Sequence, residues 1–322
     1  MQKKNILFVI GIPDDKKILF NKRKKDGSLD MGINGSTNLY NRIESNSYNK
    51  SQLVLDANPE QDISLNGIYA IFNEISDPDT HKVTLAKLGN LHKQLPKTLR
   101  FLNPPANILK TSREKIYTLL QGIEKVHVPK TVKITPKSPA DIYETIKQEH
   151  FKFPVIFRQA GDHGGISTLK VNDDTEQFYA FALDGRAYYL TQFVETSENS
   201  LYTKYRLIVI DGKVFLRHAI FGKEWMMHAK SQIDETEGNP LKQKASDAFL
   251  TKIKPSIQPV VTEIHQRIGL DYFGIDCHID KEMNLVIFEI NANMNVFVDT
   301  ENSIFTQHIQ KAQQAFIAML NR

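Results

Sequence analysis

The sequence predicts an α/β protein of two or three subdomains, with a parallel strand-and-helix layer in roughly the first hundred residues and hairpin-built units after it. Three observations carry this expectation. Strand and helix patterns alternate early in the chain. Asp211-Gly212 joins two apolar, β-branched runs as a tight hairpin, and residues 270–280 face residues 284–293 across a break of only Lys281-Glu282-Met283. At 322 residues the chain is also too long for one small core.

In order, the first strand is Ile6-Leu7-Phe8-Val9-Ile10, ending at Gly11-Ile12-Pro13. From there to about Lys50 the chain is polar and rich in Asn, Ser and Gly, which predicts irregular structure, with the basic cluster from Lys16 to Lys25 in a solvated loop or hairpin tip. Strands return at Leu53-Val54-Leu55 and at Ile68-Tyr69-Ala70-Ile71-Phe72-Asn73. Leu85, Leu88, Leu91 and Leu95 recur at helical spacing until Pro96 stops them. Thr111 or Ser112 can cap a helix ending near Gly122, and Glu114 follows Thr111 by three residues as in a capping box. A second unit opens with the strand 128–134 and a helix started by Ser138 and Pro139.

Phe153-Pro154-Val155-Ile156-Phe157-Arg158 then runs into Gly161-Asp162-His163-Gly164-Gly165 and the strand Ser167-Thr168-Leu169-Lys170-Val171. Strand, glycine-rich turn and strand make a flap whose backbone N–H groups can approach an anion, with Arg158 as a fixed positive charge; an ordinary turn has the same pattern. It is no Walker loop, because Gly-Lys-Ser/Thr and the following helix are missing. Residues 188–195 form a strand leading into a polar connection, and strands then flank Asp211-Gly212. Arg206 and Arg217 lie within them, as cross-strand ion-pair partners or as phosphate or carboxylate binders. Residues 225–239 read as a polar loop. A helix follows from about Leu241 to Ile268, interrupted near Pro255 and Pro259, and a last amphipathic helix spans about 304–320.

The hairpin after residue 270 bears the most chemistry. Alternation puts Ile275, Cys277 and Ile279 on one face with Val286, Phe288 and Ile290, and lets Asp276, Glu289 and Asn291 share the other if the loop sets the register this way. Two carboxylates and an amide carbonyl on rigid strands suit a hard divalent cation such as Mg²⁺, which keeps positions open for phosphate oxygens. The plainer reading is a solvated strand face, or acids paired with Arg206. Acids are depleted in strands, however, and burial inside apolar runs is costly without a cation nearby.

Lys and Arg number 41 against 37 Asp and Glu, a formal charge of +4 spread along the chain, so nucleic-acid binding is not implied. No apolar run approaches a membrane span, and the N-terminus lacks a signal-peptide core, so a cytoplasmic protein is expected. Cys277, the one cysteine, excludes an intramolecular disulfide and reads as a core residue.

Over roughly Thr111 to Asn295 these residues resemble the ATP-grasp superfamily. Three ordered signals carry the resemblance: the strand and flap from Phe153 to Gly165, the linker strand Thr191-Gln192-Phe193-Val194-Glu195, and Gly274-Ile275-Asp276 with Phe288-Glu289-Ile290-Asn291. The resemblance implies an α/β N-terminal domain (1–110) followed by an ATP-grasp fold of two α+β subdomains, 111–190 with the flap and 191–322 with the metal site. It implies ATP, with one or two Mg²⁺ ions held by Asp276, Glu289 and Asn291. Arg206 and Arg158 would be the catalytic cations. Lys115, Arg158, His163, Gly164, Gly165, Gln192, Phe193, Val194, Glu195 and Arg206 would bind the nucleotide, Gln192 and the Val194 backbone at the adenine edge. Arg158 stands where many members have lysine, and Lys204 replaces a common acid. Asn291-Ala292-Asn293-Met294-Asn295 lacks the Pro-Gly turn of D-alanine:D-alanine ligases and ribosomal-protein glutamate ligases.

The activity implied is ATP-dependent ligation of a small-molecule or peptide carboxylate to an amine through an acyl phosphate, by a protein resembling glutathione synthetase. Two alternatives stay open: a small-molecule kinase similar to inositol phosphate kinases, with His163 in its flap, and a weakly catalytic nucleotide-binding module. The oligomeric state, homo-oligomer included, is open too.

Overall fold

Ile6 and Phe8 are completely buried and Val9 nearly so, because their strand runs through the middle of a sheet covered on both faces. In this computed structural model Lys4–Gly11 pairs in parallel with Tyr48–Leu55 on one side and Ala70–Asn73 on the other, and Arg100–Leu102 adds the fourth strand. The structure describes the chain apart from residues 1–2, 24–28, 43–47, 57–62, 163–164, 166, 176–177, 179–180, 228–232 and 298–302, and apart from the side chains of 19–23, 29–32, 235 and 237. The parallel layer is as the alternation predicts. The polar stretch before Lys50 is more ordered than expected: Leu19–Arg23 and Leu29–Gly32 form an antiparallel hairpin, and the edge strand begins at Tyr48 rather than Leu53.

A second, antiparallel sheet orders its strands Thr168–Val171, Val155–Gln159, Tyr188–Gln192 and Thr131–Ile134. A third orders Lys213–Gly222, Tyr202–Ile210, Tyr272–Ile279, Leu285–Ala292 and the short Val126–His127. The Asp211-Gly212 turn joins the first two of these; both residues take positive φ, 49° and 74°, as a two-residue turn matching strand twist requires.

Lys82–Gln94 is the leucine-patterned helix, and Pro139–Gln148 starts on Ser138 with a full capping box to Asp141. The Thr111 capping box does not form. Ser112 is the N-cap of Arg113–Leu119, its hydroxyl donates to Glu114 Oε1 (2.9 Å), and the Thr111 hydroxyl turns back to Ile108 O. The stretch read as a loop before residue 239 already includes the start of the helix Glu235–Ala248. That helix passes through a π-helical segment, Phe249–Ile253, into Lys254–Ile268, so the irregularity precedes Pro255. The final helix is Thr306–Asn321. No helix of the described residues is long and apolar enough to cross a membrane.

The apolar interior is divided in two. The first and third sheets, with the helices packed on them, share one continuous core, and Cys277 lies inside it, fully buried. The second sheet has its own cluster around Phe157, Phe178 and Tyr188. Polar contacts bridge the two: Asp79, from the first layer, accepts from Tyr189 Oη (2.6 Å) and pairs with Lys133, both on the second sheet.

Candidate functional site

Arg158 and Thr168 stand opposite each other on adjacent strands of the second sheet. Arg158 Nε and Thr168 Oγ1 are both buried without a hydrogen-bond partner. Burial, with Arg113 close by, pushes the Arg158 guanidinium down to about 10, against the pull of Glu289 and Asp162. Its Nη2 donates to Asp162 O, at the base of the flap. Both side chains line a cavity of about 540 Å³ enclosed by the second and third sheets and by Gly35, Thr37 and Ser76 of the first layer.

Across the cavity, His218, Arg206, Asp276 and Glu289 stand in register on four neighbouring strands. Arg206 grips Asp276 with both arms of its fork, Nε to Oδ1 at 2.8 Å and Nη2 to Oδ2 at 2.7 Å. Lys204, two residues earlier on the same face, lies 3.7 Å from Asp276 Oδ2 and donates to Met227 O. Burial opposes the charge of Arg206, yet its bonds to Asp276 and the nearness of Glu289 hold its pKa above the ordinary arginine value. His218 is driven the other way: burial and the surrounding cations Arg206, Arg217 and Lys204 press its pKa well down, leaving a neutral imidazole. Arg217 is the extra residue where the register shifts between Arg206 and Leu207. Burial lowers its pKa too, and it does not reach the cavity wall.

The acid-bearing hairpin pairs as expected at Asp276 and Glu289, but its faces need correction. The register slips between Asp276, opposite Glu289, and Cys277, opposite Ile287, so Phe288 is an inserted residue. Beyond that bulge the alternation reverses. Leu285 and Ile287 turn inward with Ile290, whereas Val286 and Phe288 do not. Asp276, Glu289 and Asn291 all line the cavity. Glu289 Oε1 is paired with Arg113 Nη2 at 2.7 Å, and Arg113 Nη1 also donates to Phe288 O. No group of three or more His, Cys, Asp or Glu among the described residues is arranged to hold a metal, so Asn291 and ligand oxygens would have to complete any shell that these carboxylates begin.

The other expected residues divide. Gly165, Gln192, Phe193 and Val194 line the cavity. The side chain of Gln192, however, is occupied in holding the preceding loop: it accepts from Lys152 N and donates to Lys152 O and Pro154 O. Phe193 meets Trp225 edge to face at 6.0 Å and carries Lys170 over its ring at 3.7 Å. Glu195 is exposed, does not line the cavity, and accepts from Ser197 N and Tyr202 Oη. Lys115 is likewise exposed, donating to Leu109 O, because two positions along a helix from Arg113 is the opposite side. Arg113 faces the cavity instead. His163 and Gly164 lie outside the described residues.

Sequence reasoning missed Arg113, although it shares a helix face with the buried Ile116, three residues on. It also missed Thr168, Trp225, Met226 and Met227 on the wall. Asn293, on the cavity wall, is fixed by two buried bonds, accepting from Asn103 Nδ2 (2.5 Å) and donating to Ile75 O (2.8 Å). Nothing local in the sequence announces those long-range partners. Among the described lining residues four cations face two carboxylates, a net +2 before any ligand enters.

Comparison with known proteins bears on this cavity. The family model described as the RimK-like ATP-grasp domain matches residues 112–316. Coenzyme gamma-F420-2:alpha-L-glutamate ligase of Methanocaldococcus jannaschii is 27% identical over 118 residues, 36% of this chain. The chain spans 40% of the length of that curated relative. Among solved structures, D-alanine–D-alanine ligase from Bacillus anthracis, complexed with ATP, aligns over 99% of this chain and 96% of its own with a TM-score of 0.57 and 11% identity. VanG D-Ala:D-Ser ligase from Enterococcus faecalis aligns over 99% of each chain with a TM-score of 0.55 and 9% identity. At such identities the structural likeness speaks for the fold.

Proposed function

The chain belongs to the RimK-like ATP-grasp family, and on that premise we propose that it is an ATP-dependent carboxylate–amine ligase, forming an amide or peptide bond through an acyl phosphate. The observation that carries this reading is the pair Arg158 Nε and Thr168 Oγ1, two buried polar atoms without a partner on the wall of a cavity with excess positive charge. A phosphate oxygen satisfies both; an apolar ligand satisfies neither. We assign the nucleotide's phosphates to the space between Arg158 and Arg206, and its base to the apolar end near Phe193 and Trp225.

In the proposed reaction the substrate carboxylate oxygen attacks the γ-phosphorus and ADP leaves. The amine nitrogen then attacks the acyl carbon, phosphate leaves, and the nitrogen loses a proton. Magnesium, when bound, supplies positive charge between the phosphates, and its side-chain oxygen donors come from the set Asp276, Glu289 and Asn291. Arg158, Lys204 and Arg206 stabilise charge on the transferring group, and the flap with Gly165 limits water at the acyl phosphate. No side-chain nucleophile is needed.

The relative is named for ligating L-glutamate, which favours an amino acid as the amine; the acid is a small molecule or peptide. We keep residues 1–110, 111–190 and 191–322 as the functional divisions and the cytoplasm as the site of action. The kinase alternative depended on His163, and no observation among the described residues favours it. Incubation with ATP, Mg²⁺ and a metabolite extract, followed by untargeted mass spectrometry, tests the reading. An amide product, joined with loss of water, is expected; a product gaining a phosphoryl group would replace ligase by kinase.

A further inference from the structure

Lys133, Tyr189, Arg158 and Thr168 stand in one register across the four strands of the second sheet. Directly opposed residues share a face, so the two assigned to phosphate, Arg158 and Thr168, and the two that meet the first layer, Lys133 and Tyr189, form a single rung. Asp79 closes on the far end of it. Its Oδ2 accepts from Tyr189 Oη at 2.6 Å and its Oδ1 pairs with the Lys133 ammonium, which also lies 5.3 Å from the centre of the Tyr189 ring. The Asp79 and Lys133 side chains are only 11% and 20% exposed, so solvent screens the pair weakly.

The segment that bears Asp79 is itself fastened to the first layer. Asp79 N donates to Asp77 Oδ1 (2.7 Å), Ser76 N and Oγ both donate to Gly35 O (2.8 and 3.0 Å), and Thr80 O accepts from Asp14 N (2.8 Å). Gly35 and Ser76 line the large cavity. The same segment meets the base of the flap: a Cβ added to Gly161, whose φ is +81°, would lie 2.8 Å from Thr80 Cγ2. Asp79, Tyr189, Arg158 and Gly161 all line a second, small cavity of about 40 Å³. Because the second sheet has an apolar core of its own, contacts of this kind hold it against the first layer.

We infer that Asp79 is a positioning residue for the phosphate site: by gripping Lys133 and Tyr189 it sets where Arg158, the next residue of the rung, stands across the cavity from Arg206. Asp79 does not line the large cavity and acts through Tyr189 and Lys133. Losing it leaves the second sheet free to take up other positions on the first layer, and nucleotide then binds only the fraction of molecules with Arg158 in place. The inference rests on the ligase reading in one respect, the assignment of phosphate to Arg158.

The test is calorimetric titration of the full chain with a non-hydrolysable ATP analogue and Mg²⁺, beside thermal melts. Asp79→Ala should weaken the analogue by ~10-fold, and Tyr189→Phe, which removes one oxygen and keeps the ring, by about 3-fold. In an Arg158→Ala background Asp79→Ala should cost no more than about 2-fold further, because the group it positions is gone. Wild-type affinity in both Asp79→Ala and Tyr189→Phe would overturn the inference, whatever their melting temperatures. So would losses from Asp79→Ala and Arg158→Ala that multiply in the double variant, the mark of a general weakening of the fold. Should Asp79→Ala fail to fold, Tyr189→Phe alone and combined with Arg158→Ala decides by the same criteria. A wild type that binds no analogue, or an Arg158→Ala protein that binds it normally, brings down the phosphate assignment and this inference with it. A loss in Arg158→Ala with none in Asp79→Ala or Tyr189→Phe sinks this inference alone.

Discussion

Arg113 Nη2 lies 2.7 Å from Glu289 Oε1, and this ion pair ties the first helix of the family-matched region to the strand that carries the proposed cation donors. Glu289→Gln keeps the size and an acceptor for Arg113 but removes the charge. Turnover should fall at least ~10-fold, about 1.4 kcal/mol of transition-state stabilisation, with a higher Mg²⁺ requirement. The melting temperature should move little, since a partly exposed pair contributes at most about 1 kcal/mol. Turnover measured against Mg²⁺ concentration, beside a thermal melt, separates the two effects; unchanged turnover and unchanged Mg²⁺ dependence would remove Glu289 from the site.

Arg158→Ala should raise the KM for ATP, and Arg158→Lys should recover part of the loss by restoring charge without the fork. Stability should hold or rise in the alanine protein, because the residue removed is a desolvated cation with an unsatisfied Nε. Normal ATP kinetics in Arg158→Ala would sink the phosphate assignment.

Gly274 carries no side chain because Met294 occupies the space: a Cβ there would lie 2.3 Å from Met294 Cε, 2.6 Å from Sδ and 2.9 Å from Cβ. Gly274→Ala should destabilise by about 1–3 kcal/mol and disturb the cavity-lining segment around Met294. Adding Met294→Ala should restore part of that stability in denaturant titrations, and a single variant as stable as wild type would contradict the packing.

Glu74 is fully buried at the end of Ala70–Asn73, where burial raises its carboxyl to about 8 despite hydrogen bonds from Tyr40 N and Gln52 Nε2. The folded protein therefore binds a proton that the unfolded chain releases near 4.5. The stability this gives is fully present below that value and is lost as pH rises through about 8. Glu74→Gln should flatten the decline, melting higher than wild type at pH 8 and much like it at acidic pH; parallel pH profiles would exclude the effect.

Much of this was legible in the residues, for identifiable reasons. The Asp211-Gly212 turn and the parallel opening layer follow from local chemistry that the sequence displays directly, whereas the pairing of Asp276 with Glu289 needs one inserted residue as well. The bulge at Phe288 was not legible, because strict alternation carries no mark of one inserted residue. Nor were the partners of the two acids. Arg206 and Arg113 lie 70 and 176 residues away from Asp276 and Glu289, and only the folded strands bring them together. Lys115 misled for a smaller reason, since helical position, not residue type, decides which cation of Arg113-Glu114-Lys115 meets the cavity.

The apolar cluster of Phe157, Phe178 and Tyr188 shares no member with the core that joins the other two sheets, and side chains such as Asp79, Lys133 and Tyr189 bridge the gap with polar contacts. Two separate cores are two cooperative units. Heating the empty protein should therefore give two calorimetric transitions, and a nucleotide gripped from both sides should draw them together by stabilising only the state in which both units are folded. The molecule's response to its ligand would then be read in the shape of its melting curve as much as in its midpoint.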